Sequence, residues 1–242
     1  MTSETKKYRD LTLSFLALTS IFGLLLSLLF AVYPPILEDD WAFRGLAAGS
    51  AFCAVCILGV FAALFPGSCS KMPSFEKNSG GEESHSSVHE KTSEAHHPLC
   101  DNYSTHVLHV GGRKICATCT GLSVGAFGVV VGAIMYFTGG FRVGVPHVLA
   151  LIGGLAVVAG LLQSAMPKSC NGYARFFFSV IFVVGCFLMF TGLDAAAKSI
   201  TIDLFFVALC VLLIMTKIAF SKRDHSEICS QCSRESCRPD RE

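Results

Sequence analysis

The stretch Gly121–Thr138 reads GLSVGAFGVVVGAIMYFT, 18 residues without a charged side chain. A helix needs about 20 predominantly apolar residues to cross the hydrocarbon core of a bilayer. Five further runs of this kind appear on moving outward: Leu11–Tyr33, Phe43–Phe65, His147–Ala165, Ala174–Leu193 and Ile200–Phe220. None alternates polar and apolar residues at period two, which argues against barrel strands. A helix satisfies its own backbone hydrogen bonds where lipid offers no partner. The expected fold is therefore all-α, a polytopic membrane bundle of six transmembrane helices with the lipid bilayer as its partner.

The composition agrees. Of 242 residues, 52 % are hydrophobic and 15 % charged, against about 25 % charged in an ordinary soluble domain. A net charge of +1 lacks the basic excess of a nucleic-acid binder, so no nucleic-acid partner is expected. Lys6, Lys7 and Arg9 precede the first run as in a signal peptide. That run of 23 residues is longer than the ~7–15 of a signal core, so it reads as a retained anchor.

Orientation follows from the basic residues. Numbering the loops alternately places 16 Lys and Arg on the side of the N-terminus and three, Arg44, Arg142 and Lys198, on the other. Both termini and the long second loop are expected in the cytoplasm, and the protein in the plasma or inner cell membrane. The chain divides into a two-helix segment (1–65), a cytoplasmic linker (66–95), a four-helix membrane domain (96–220) and a cytoplasmic tail (221–242). The linker is rich in Ser, Glu, Gly and His without a periodic apolar face, so it is expected to be disordered. His85 and His89 within it are read as solvated side chains.

The chemistry concentrates in His96–Gly125, HHPLCDNYSTHVLHVGGRKICATCTGLSVG. Cys116 and Cys119 form a C-x-x-C at the start of the third span. Thiolates and imidazoles suit Zn²⁺, and the two-residue spacer lets two sulfurs reach one tetrahedral ion. The expected ligands are Cys100, Cys116 and Cys119, with His97 or His106 as the fourth. Thr120 after Cys119 argues against covalent haem, which needs C-x-x-C-H. The alternative is a membrane thiol–disulfide or quinone-linked oxidoreductase using the Cys116–Cys119 pair, because a helix N-terminus lowers a thiol pKa.

A second ligand group, His225, Cys229, Cys232 and Cys237, lies in the tail and offers another metal site. Gln163, Asn171 and Arg175 fall on the same membrane face, where they would suit an anionic small molecule or lipid headgroup. Cys53, Cys56, Cys186 and Cys210 read as packing residues within spans. Gly121, Gly125, Gly128 and Gly132 form one helical stripe for close helix approach, and Gly153, Gly154 and Gly160 repeat the device. Asp203 and Lys217 are the ionisable groups noted inside a span, too few to outline a transport pathway.

His96-His97-Pro98-x-Cys100, then Cys116-Ala117-Thr118-Cys119-Thr120-Gly121 with Gly125, then Gln163 and Asn171-x3-Arg175 complete a wider pattern. Over about residues 95–220 the chain resembles the prokaryotic membrane-protein family catalogued as domain of unknown function 2085. It departs at Thr118, where many members carry a basic residue, and at Gly172, where a second asparagine is common. The resemblance implies a compact multi-pass membrane protein and supplies no established activity, so it assigns no catalytic residues. The two N-terminal spans and the Cys-rich tail are additions to it.

Overall fold

The computed structural model describes residues 3–35, 43–64, 107–110, 113–139, 143–165 and 171–230. Six helices account for nearly all of them: α1 (Ser3–Val32), α2 (Arg44–Leu64), α3 (Ala117–Gly139), α4 (Pro146–Ala165), α5 (Gly172–Ala197) and α6 (Ile200–Ser230). All six are long and apolar enough to cross a membrane. Their outward faces are greasy: Phe22, Phe127, Leu155 and Phe177 are all exposed, while Ser20, Ser27, Thr191 and Thr216 are buried. Water would penalise that arrangement, whereas lipid favours it, since a polar group facing hydrocarbon has no partner there.

Small residues set the spacing. α4 and α5 share the most extensive contact in the bundle. A Cβ on Gly153 would stand 2.5 Å from the Met189 nitrogen, and one on Gly192 would stand 2.7 Å from the Ala150 nitrogen. The α3 stripe faces α5 through Gly121, Gly125 and Gly132. Gly128 does not belong to it: nothing lies within 4 Å of its would-be Cβ. Gly154 also departs from its expected role, turning toward Leu28 of α1.

The N-terminal pair packs on the rest. α1 lies against α6, α5 and α4, and α2 against α3 and α6. Ser20 and Thr216 share a buried hydrogen bond of 2.8 Å between α1 and α6. Two features were not anticipated. A short antiparallel hairpin, β1 (Val107–Val110) with β2 (Arg113–Cys116), stands where a ligand-bearing loop is expected; Val107 pairs with Cys116 and Leu108 with Ile115. α6 also runs to Ser230, ten residues beyond the apolar run. The tail therefore begins as helix and carries His225 and Cys229 one turn apart.

Candidate functional site

The hairpin hands the chain directly to α3. Cys116 ends β2 and Ala117 opens the helix, so Cys116 holds the N-cap position and Cys119 lies in the first turn. The first N–H groups of a helix have no intrahelical acceptor. Here the half-buried Cys116 sulfur takes that role. The Cys119 thiol donates to it, burial opposes its ionisation, and the backbone N–H groups of Cys119 and Thr118 and the positive Arg175 favour it. The balance pulls the Cys116 thiol from 9.0 down to about 6. Because folding lowers this value, the group adds stability in full above the unfolded thiol's range. That stability is lost as pH falls through about 6.

Arg175 is held by an ion pair. It sits in the first turn of α5, buried, with Nη1 3.1 Å from Oδ2 of Asp224 on α6. The sequence offers a span-end arginine that snorkels to headgroups. The structure instead buries it against Asp224, close enough for its charge to favour the Cys116 thiolate. Asn171 is the exposed N-cap residue of α5, and its side chain makes no capping bond. Gln163 is buried near the end of α4, and its Nε2 has no hydrogen-bond partner among the described residues. Lys217 of α6 is 1 % exposed. Its Nζ donates to Gly160 O at 2.9 Å and Ser164 Oγ at 3.0 Å and lies 5.1 Å from the centre of the Phe182 ring.

Below the sulfur pair lies an apolar cavity of about 120 Å³ between α2, α3, α5 and α6. Cys119 lines it together with Phe52, Cys56, Leu122, Phe182 and Cys210. An apolar cavity near 150 Å³ accepts a benzene-sized molecule. The lining offers nothing to a charged ligand.

Of the expected zinc ligands, Cys116 and Cys119 are adjacent in this site. Cys100, His97 and His106 lie outside the described residues, as do Cys232 and Cys237 of the second group and the linker 66–95. Among the described residues, no three His, Cys, Asp or Glu side chains are placed to hold a metal ion.

At the opposite end of the bundle is a group that the sequence reading did not assemble. Arg44 Nη1 of α2 lies 2.6 Å from Asp203 Oδ2 of α6 and 2.7 Å from Asp194 Oδ1 of α5. Tyr136 of α3 donates to Asp194 Oδ2 at 2.8 Å. Arg44 counts in the sequence only as a loop charge. Its role depends on which helices stand beside α2, and local hydropathy carries no trace of that.

Neither the family models nor the curated proteins nor the solved structures contain a match to this chain.

Proposed function

We propose that this is a membrane thiol–disulfide oxidoreductase with Cys116 as its reactive sulfur and Cys119 as the resolving thiol. The observation that carries this reading is the Cys116 sulfur at the mouth of α3, accepting from the Cys119 thiol and two backbone N–H groups beside Arg175. The Cys116 thiolate attacks a partner disulfide, whose S–S bond breaks as a mixed disulfide forms. Cys119 then gives up its proton and attacks the Cys116 sulfur, releasing the partner as a dithiol and leaving a Cys116–Cys119 disulfide. The net result is two electrons and two protons moved from this chain to its partner. Run in reverse, the Cys116–Cys119 disulfide oxidises a partner dithiol and becomes the reduced pair, and the cavity beside Cys119 supports a lipid-soluble quinone that takes up those two electrons and two protons and restores the disulfide.

The metal reading places zinc on Cys116 and Cys119 with Cys100 and His97 or His106. It needs ligands beyond those the helix mouth supplies, whereas the dithiol reading needs none. One experiment separates the two. In the purified full-length protein, alkylation of Cys116, followed by peptide mass, is expected to reach half its plateau rate near pH 6, against about 8.5 for an ordinary thiol. Cys119→Ser is expected to trap the mixed disulfide with a small disulfide probe, and Cys116→Ser to abolish reaction. One zinc per chain with both thiols blocked, or a midpoint near that of a free thiol, would overturn the proposal.

The sorting of Lys and Arg supports a cytoplasmic position for this site, with both termini on the same side. An impermeant maleimide added to intact cells is then expected to leave Cys116 and Cys100 unlabelled until the membrane is opened. Labelling from outside would reverse the orientation.

A further inference from the structure

The Arg44 end of the bundle holds charge that the dithiol chemistry does not use. The turn between α5 and α6 assembles it. Only Lys198 and Ser199 separate the two helices. Lys198 adopts the left-handed conformation (φ 47°) and donates its N–H to Asp194 O at 3.1 Å. This tight reversal places Asp194, one turn before it, beside Asp203, one turn after it. The Asp203 side chain is 0 % exposed and that of Asp194 is 7 % exposed.

Two ionised carboxylates against one guanidinium would leave one uncompensated negative charge in a buried site, which is strongly unfavourable. The hydrogen bonds point the same way. Arg44 Nη1 donates to Asp203 Oδ2, and Tyr136 donates to Asp194 Oδ2. Asp203 Oδ1 has no donor, and Asp194 Oδ1 lies at Arg44 Nη1 without an aligned hydrogen. The two carboxyl groups are within hydrogen-bonding reach of each other. One proton between them supplies the missing donor and removes the excess charge together. A metal cation fits less well, since hard cations collect six or more oxygens and this pair sits against a guanidinium.

We propose that Asp194 and Asp203 bind one exchangeable proton between them, making the Arg44–Asp194–Asp203–Tyr136 cluster a neutral proton-binding site. Among the described residues, the other titratable groups at this end are Lys198 at the end of α5, His147 at the start of α4 and Tyr33 just after α1, all of them exposed. The sign of the linkage follows. Unfolded aspartates release their protons near pH 4, so above that the folded chain binds one proton more than the unfolded chain. Stability from this site is therefore lost as pH rises.

The test is infrared spectroscopy of the full-length protein in lipid nanodiscs, read with its melting temperature. Wild type at pH 7 is expected to show one protonated-carboxyl C=O band that shifts in D₂O. Asp203→Asn and Asp194→Asn are each expected to lose it, because the remaining carboxylate then pairs with Arg44 alone. Melting of wild type is expected to fall as pH rises above about 4 more steeply than that of either variant. Absence of the band in wild type overturns the proposal without any variant having to fold. So does its survival in both variants, or stabilisation that tracks sodium at fixed pH.

Discussion

Gly153→Leu is expected to leave no folded protein in the membrane. The new side chain would begin 2.5 Å from the Met189 nitrogen and 2.7 Å from Gly185 O. Both are backbone atoms of α5, so no rotamer change makes room. Extra methylenes in a packed core cost about 1–3 kcal/mol where neighbours can adjust. Here α4 and α5 must part along their whole contact, and close approach of small residues is what holds membrane helices together. Gly128→Leu is the control, since nothing stands within 4 Å of that position. The measurement is size-exclusion chromatography of detergent-extracted protein. Aggregation of the first variant beside a monodisperse second is expected, and a monodisperse Gly153→Leu protein melting like wild type would refute the packing argument.

Arg175→Met is expected to weaken the fold and slow the chemistry together. Breaking a buried ion pair by removing one partner costs up to about 3–5 kcal/mol. The partner left behind is Asp224, whose side chain is 7 % exposed. The same substitution removes the positive charge that favours the Cys116 thiolate, so half-maximal alkylation moves above pH 6. Asp224→Asn should separate the two effects. It also breaks the pair, but it keeps the Arg175 charge and removes the opposing Asp224 charge, so the alkylation midpoint moves below that of wild type. Equal midpoints in all three proteins would mean that Arg175 has no influence on Cys116.

The six helices were legible because length and apolarity are properties of each run by itself. The C-x-x-C is plain in the sequence, but its setting at a hairpin-to-helix junction is not. Gly111-Gly112 between Val107–Val110 and Arg113–Cys116 is a hairpin signal. In a stretch crowded with cysteine and histidine, the ligand pattern masks that signal. The apolar run ends at Phe220, yet Ser221–Ser230 continues the helix, because helix formation does not require an apolar surface. Gly128 fits the glycine stripe by spacing, but whether a neighbour faces it depends on the crossing of α3 and α5. Arg44, Tyr136 and Asp194 fall in three different helices, and only tertiary structure makes them one group.

Arg44 is also the only charged residue in α2. A helix with an otherwise apolar surface can slide or rotate against its neighbours at little cost, because one dispersion contact substitutes for another. Sliding by one residue, about 1.5 Å, would pull the guanidinium off carboxylates that it now meets at 2.6 and 2.7 Å. The cluster therefore works as a key in a keyway. Dispersion holds α2 in the bundle, and one cation sets its depth and angle.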